Sequence, residues 1–257
     1  MKPLQGKRIL ITRDASQAGS LKDMLGKEGA DVICIPTISI ADPPDWDLFD
    51  QVANGPESYD WIVFSSVNAV KQTQSRLAYL QVEYLKENFP KIAVIGSQTA
   101  LLVESVGWKV SLIPDRFQAE DLGDKLVAEG ITGKRIWIPR ALAARNVLIE
   151  KLESAGATVT VTPVYQNKVP YENRERLRKA LADNNIDWVT FTSSSTVVNF
   201  FEILGQNSTE IPLPKLASIG SITTRTLESY SLKPEFTANP QNLEGLCQGL
   251  INSEPGD

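Results

Sequence analysis

The sequence contains itself twice. GKRILITR at 6–13 returns as GKRIWIPR at 133–140, and the spacing then holds: Leu21 and Leu25 fall on Leu148 and Leu152, Gly29 on Gly156, Pro36 on Pro163 and Pro43 on Pro170. DWIVFSSVNAV at 60–70 matches DWVTFTSSSTV at 187–197, and VIGSQTALLVESVG from 94 matches SIGSITTRTLESYS from 218 after a small deletion. Two halves this alike must be built by the same structural rules, so whatever unit one copy encodes is encoded again by the other.

Each copy alternates strands and helices. The runs Ile9 to Ile11 and Ile136 to Ile138 lack polar alternation, as expected of strands buried on both faces of a parallel sheet. Leu21, Met24 and Leu25 share a helical face, with Ser16 as the expected cap and Gly29 as the stop, and Leu148, Leu152 and Gly156 repeat the pattern. ADVICIP and ATVTVTP supply second strands. Trp46, Phe49, Val52 and Ala53 mark a further helix, matched by Leu177, Ala180 and Leu181. WIVF, IAVIG, WVTF and LASIG follow as strands, each leading into a helix. The expectation is an α/β fold of two similar doubly wound parallel sheets with right-handed crossovers. TISIADPPDW and VYQNKVPYEN, at equivalent places and bearing prolines, read as extended connectors. The pattern leaves open whether two domains coincide with the two copies or exchange strands through these connectors.

Composition excludes several kinds of chemistry. The formal charge of −5 and pI near 5.0, with no cluster of Lys and Arg, argue against a nucleic-acid partner. Histidine is absent, which removes Ser-His-Asp and Cys-His catalysis and every histidine-held metal site. Cys34 and Cys247 stand alone without metal or disulfide spacing, so no metal is expected. No apolar window approaches the roughly 20 residues of a membrane-spanning helix. KRILITR begins a strand so early that no leader is expected ahead of it, pointing to a cytoplasmic protein, or to an organelle stroma if a transit peptide has been removed.

The repeated polar motifs fall where strands end and helices begin. Ser65 and Ser66 follow Phe64, Thr192 and Ser193 follow Phe191, and Gly96-x-x-Thr99 and Gly220-x-x-Thr223 follow two further strands. Hydroxyls and main-chain N–H groups at such turns bind carboxylate or phosphate oxygens. Each taken singly is also explained as a plain helix cap, contributing about 1 kcal/mol. Arg13 and Arg140, at the ends of first strands, suit an anionic ligand or a surface ion pair. Tyr165, just past VTVTP, is the most suggestively placed proton donor in a chain without histidine, although a tyrosine in such a position is more often a packing residue at an interface. Asp60 and Asp187 precede their strands, the wrong end for a metal or phospho-acceptor pocket, and are expected to cap or terminate helices. GxxxxGK[ST] and GxGxxG are missing, which disfavours a nucleotide-dependent transferase.

Taken in order, KRILITR, FSSVNAV, VIGSQTA, IPR, VYQN, FTSSSTV and ASIGSITTRTL resemble the uroporphyrinogen-III synthase family over nearly the whole chain. The resemblance implies a bilobed protein, with residues 1–38 plus 168–257 as one domain, 39–167 as the other, a two-stranded hinge and a cleft between them. It implies a hydro-lyase without cofactor or metal that cyclises linear hydroxymethylbilane to uroporphyrinogen III, losing water and inverting the last pyrrole ring through a spiro intermediate. Tyr165 matches the tyrosine that assists departure of the hydroxyl, and Ser66, Thr99, Ser193 and Thr223 match cleft-lining hydroxyls. Arg13, Ser65, Asn68, Arg140 and Thr192 complete the expected substrate-binding set. Gly220-Ser221-Ile222-Thr223 departs from the commoner Gly-Pro-x-Thr, and Asn68 stands where some members carry Arg. A monomer without nucleic-acid or membrane partners is implied. The competing reading is a non-catalytic two-lobed sensor of a tetrapyrrole or other polyanion.

Overall fold

A strand that is apolar on both sides needs a hydrogen-bonded neighbour at each edge and a helical layer over each face. β1 (Arg8–Ile11) finds one neighbour close in sequence: α1 (Ala15–Lys27) returns the chain so that β2 (Asp31–Cys34) pairs with it in parallel. The other neighbour comes from the second copy. It is β9 (Trp188–Phe191), with Ile9, Leu10 and Ile11 set against Trp188, Val189 and Thr190. The computed structural model describes residues 2–55, 58–82, 89–183, 186–205 and 212–254.

The remaining elements are β3 (Ser39–Ala41), α2 (Asp47–Ala53), β4 (Trp61–Phe64), α3 (Val67–Tyr79), β5 (Lys91–Val94), α4 (Ser97–Ser105), β6 (Val110–Leu112) and α5 (Ala119–Ala128). They are followed by β7 (Arg135–Ala141), α6 (Val147–Ser154), β8 (Thr158–Lys168), α7 (Arg174–Ala182), α8 (Ser194–Leu204), β10 (Lys215–Ser218), α9 (Ser221–Ser229), β11 (Phe236–Thr237) and α10 (Leu243–Ser253). Among the described residues they form a five-stranded sheet in the order β11-β10-β9-β1-β2 and a six-stranded sheet in the order β3-β8-β7-β4-β5-β6. With β7 and β8 aligned on β1 and β2 through the repeat, both sheets have the order second-first-third-fourth-fifth of a doubly wound sheet, and β3 is an addition at one edge. Contacts divide the chain into Met1–Ile40 with Lys168–Asp257 as one unit and Ala41–Asn167 as the other. Each unit therefore takes the first strand-helix-strand of one copy and the later strands of the other.

Both faces of each sheet are covered. In the first unit Ile9 and Ile11 pack with Leu21 and Leu25 of α1 and Leu246 and Leu250 of α10, while Leu10, Val189 and Phe191 pack with α7, α8 and α9. In the second, Val63, Ala93, Ile136 and Ile138 meet Leu122 and Leu126 of α5 and Leu148 and Leu152 of α6. The glycine stops act as their spacing suggests. At Gly29 (φ +95°) the N–H groups of Gly29 and Ala30 turn back to the carbonyls of Gly26 and Leu25, and Gly156 (φ +86°) with Ala157 does the same to Glu153 and Leu152. Ser16 is not the cap, because α1 already begins at Ala15; the side chain of Ser16 lies outside the described residues.

Asp60 and Asp187 correct the sequence reading. Neither terminates a helix. The Asp187 carboxylate accepts the Arg8 N–H at 2.7 Å while its own N–H donates to the Arg8 carbonyl at 2.9 Å, and Asp60 makes the same reciprocal pair with Arg135. Each aspartate thus fastens the start of the neighbouring strand, at the joint where the two copies meet. Hydrogen bonds from Lys134 and then from the Arg135 amide hold the Asp60 carboxyl below the usual carboxylate range.

Glu254, just past α10, gathers three segments of the first unit: its carboxylate accepts from Lys7 at 2.7 Å, Trp188 Nε1 at 2.8 Å and Lys215 at 3.0 Å. Burial alone would raise its pKa, but these donors outweigh it and bring the carboxyl from 4.5 down to about 2. A depressed pKa stabilises the fold above the unfolded value and loses that stabilisation as pH falls through the folded one. Glu254→Gln should therefore lower unfolding free energy by about 1–2 kcal/mol at pH 7, a figure reduced for the exposed lysines. Denaturant titrations should show the gap from wild type closing between about pH 4.5 and about pH 2.

Candidate functional site

In a doubly wound sheet the chain runs outward in opposite directions from one point, and there the carboxyl ends of two adjacent strands diverge to leave a crevice. In the second unit that point lies between β7 and β4. Arg140 is the penultimate residue of the former, Ser65 and Ser66 follow the latter, and Thr99 follows β5, next in line. In the first unit it lies between β1 and β9, with Arg13 after the one and Thr192 and Ser193 after the other; Thr223 follows β10. All the strand-end candidates thus fall at or next to the switch point of their own sheet.

The second unit brings Ser66 and Tyr165 together. Ser66 is the N-cap of α3 in extended backbone, and its Oγ accepts the Ala69 N–H at 3.1 Å. The same Oγ lies 3.3 Å from the Tyr165 hydroxyl, and either can donate. A serine whose lone pair takes the helix N–H still has its own proton to give and a second lone pair to offer. Tyr165 is otherwise buried along β8, the residue 8% exposed, with its carbonyl accepting the Leu142 N–H at 2.8 Å. Ser65 is exposed and Asn68 half-buried beside it in the first turn of α3. Thr99 is buried in the first turn of α4, whose cap, Gly96, has no side chain to occupy the helix start.

Arg140 is neither a surface ion pair nor, as placed, turned outward to an anion. It is 7% exposed, and its guanidinium donates to the carbonyls of Ala144 and of Arg145, the latter at 3.2 Å. Burial lowers its pKa, and the nearby Tyr165 opposes that shift. Along β7 and β8 the register slips between Arg140 and Ala141, so that Ala141 pairs with Tyr165 where even spacing would offer Val164. Such an irregularity re-aims side chains at a strand end.

The equivalent groups of the first unit are arranged differently. Ser193 caps α8 in a reciprocal box: its Oγ accepts the Thr196 N–H, while its own N–H donates to Thr196 Oγ1, both at 3.2 Å. Thr196 stands where the first copy has Ala69, so the same serine is a closed cap in one copy and an open one in the other. Thr192 is half-buried, and Thr223 is buried in the first turn of α9 behind Gly220, which lets the Gln241 side chain approach the helix start. Arg13 donates through Nε and Nη2 to the Gln17 side chain at 3.2 and 3.0 Å; burial lowers its pKa, against the pull of Asp14. The residues that sequence reasoning missed are Ala69, Leu142 and the carbonyls of Ala144 and Arg145; only the exchange of Ala69 for Thr196 was visible in the repeat.

The architecture and these strand-end groups define a twinned α/β protein with hydroxyls and helix starts at its sheet switch points and, among the described residues, the Tyr165 hydroxyl beside one of them. Residues 19–248 match the family described as uroporphyrinogen-III synthase HemD. The uroporphyrinogen-III synthase of Synechococcus elongatus is 33% identical over 255 residues, covering 96% of each chain. The crystal structure of uroporphyrinogen-III synthetase from Helicobacter pylori shares the fold at a TM-score of 0.63 and 19% identity, covering 96% of this chain and 99% of its own. That of a mutant uroporphyrinogen III synthase from Thermus thermophilus does so at 0.62 and 16%, covering 96% and 98%. The chain belongs to the uroporphyrinogen-III synthase HemD family.

The two caps make a direct comparison. Ser193→Ala removes the bond from the Thr196 N–H and leaves the main-chain half of its box, whereas Ser66→Ala removes the bond from the Ala69 N–H together with the Tyr165 hydroxyl contact. In urea titration Ser193→Ala should lower unfolding free energy by about 1 kcal/mol and Ser66→Ala by at least as much, about 1–2 kcal/mol.

Proposed function

We propose that the active centre of this lyase is built around the Ser66 and Tyr165 hydroxyls, with hydroxymethylbilane as substrate and uroporphyrinogen III as product. The observation that carries it is the 3.3 Å approach of a buried phenol to a serine at the start of a helix, beside a sheet switch point. In a chain without histidine a phenol so placed is the best available proton donor.

The pyrrole nitrogen lone pair of the terminal ring expels the hydroxyl of the hydroxymethyl group, breaking the C–O bond. The Tyr165 proton goes to that hydroxyl, water leaves, and an azafulvene remains. The Ser66 O–H then turns to the phenoxide, stabilised further by the positive end of α3. The last ring attacks through its substituted carbon, giving a spiro intermediate whose cleavage and re-closure invert that ring, and the proton lost on rearomatisation returns to Tyr165. No cofactor enters this balance. Substrate acetates and propionates meet Ser65, Asn68, Thr99, Thr192, Ser193, Thr223 and Arg13 together with helix N–H groups. Two domains, 1–38 with 168–257 and 39–167, would close on the substrate about a two-stranded hinge, favouring one folded conformer over the one that yields the uninverted isomer. Since the two copies supply each other's missing strands within one chain, a monomer suffices; we place it in the cytoplasm, without nucleic-acid or membrane partners. Among the described residues no helix is long and apolar enough to cross a membrane.

The protein supplied with hydroxymethylbilane should yield the type III isomer by chromatographic isomer analysis. Tyr165→Phe should lower kcat by about 100-fold or more with KM within a few-fold of wild type. Type I product alone from the wild-type protein would overturn the reading and leave a polyanion sensor in its place.

A further inference from the structure

Arg140 is the buried cation of the second unit for which an anion-binding role has the least geometric support. Its guanidinium forks over the carbonyls of Ala144 and Arg145 and so curls the chain after β7 back upon itself. Within that curl the Leu142 N–H reaches the Tyr165 carbonyl at 2.8 Å. The loop is otherwise poorly held: residues 142–147 are exposed, Leu142 and Val147 among them at 46% and 39%. Arg140 thus fastens a loop with little packing of its own, and the loop fastens Tyr165. The register slip between Arg140 and Ala141 falls at this same place.

We infer that Arg140 is a positioning residue for Tyr165: it anchors the Leu142–Arg145 loop against the Tyr165 main chain, instead of binding substrate carboxylates. A guanidinium suits this, since its planar fork spans two carbonyls. The coupling of its charge to the tyrosine agrees with this placement. The inference rests on the active-centre reading and deepens it.

The test is a double-mutant cycle read as kcat and KM for hydroxymethylbilane. Arg140→Gln should lower kcat about tenfold or more with KM held within about twofold, whereas in the Tyr165→Phe background it should change kcat by less than about twofold, because the group it acts through is gone. Arg140→Lys, which keeps charge without the fork, should recover part of the loss. Brief trypsin treatment should cut after Arg145 faster in Arg140→Gln than in wild type, with melting curves confirming that both are folded. A rise in KM at unchanged kcat, an equal loss in the Tyr165→Phe background, or unaltered cleavage after Arg145 would overturn the inference. Full kcat in Tyr165→Phe alone would instead sink the active-centre reading, a distinguishable result.

Discussion

The pairing of β1 with β9, and of β7 with β4, sets a strand of one sequence copy against a strand of the other. Main-chain groups in a strand buried on both faces have no water to turn to, so each first strand must find a second edge partner, and no strand of its own copy takes that place. The aspartates sharpen the joint. Asp187 and Asp60 each exchange a reciprocal pair of hydrogen bonds with the first residue of the strand across it, which fixes register where a slip by one residue would turn every apolar side chain to the wrong face. The positions of the switch points, and of the groups that gather there, follow from these two pairings.

Local features were legible in the sequence because their causes are local. Apolar runs without alternation became central strands, and Gly29 and Gly156 became left-handed helix stops because few other residues adopt that backbone freely. Strand exchange between copies was not legible in the periodicity, which both alternatives satisfy, and was expected only from the family resemblance; the choice is made by contacts far apart in sequence. Asp60 and Asp187 were misread for the same reason, since in sequence each follows a helical stretch while its partners, Arg135 and Arg8, lie far away. Of the candidate groups, the strand-end positions could be read from the repeat, but the commitment of Arg140 to main-chain carbonyls, beside a register slip, has no sequence mark.

The divergence of the copies at one helix start separates two uses of serine. Thr196 reciprocates the Ser193 cap by taking the Ser193 main-chain N–H, which leaves one fewer N–H open at that helix start while the Ser193 hydroxyl keeps its own proton. Ala69 cannot reciprocate, and Ser66 keeps a proton and a lone pair that reach a phenol. Hydroxyls and oriented N–H groups create local fields that net charge does not cancel, which is how a chain with a formal charge of −5 can suit a substrate rich in carboxylates.

The cross-copy joints also impose an order on biosynthesis. Every described strand of the 41–167 unit is outside the ribosome once Lys168 has emerged from it, whereas β1, made earlier, stays without its inner neighbour until Phe191 emerges. The later unit in sequence is therefore the earlier one able to close, and β1, α1 and β2 wait as a tethered fragment with an open edge. Nascent chains stalled between these two points would carry one finished sheet and one exposed seam, the feature that chaperones bind and that unwanted strand addition exploits.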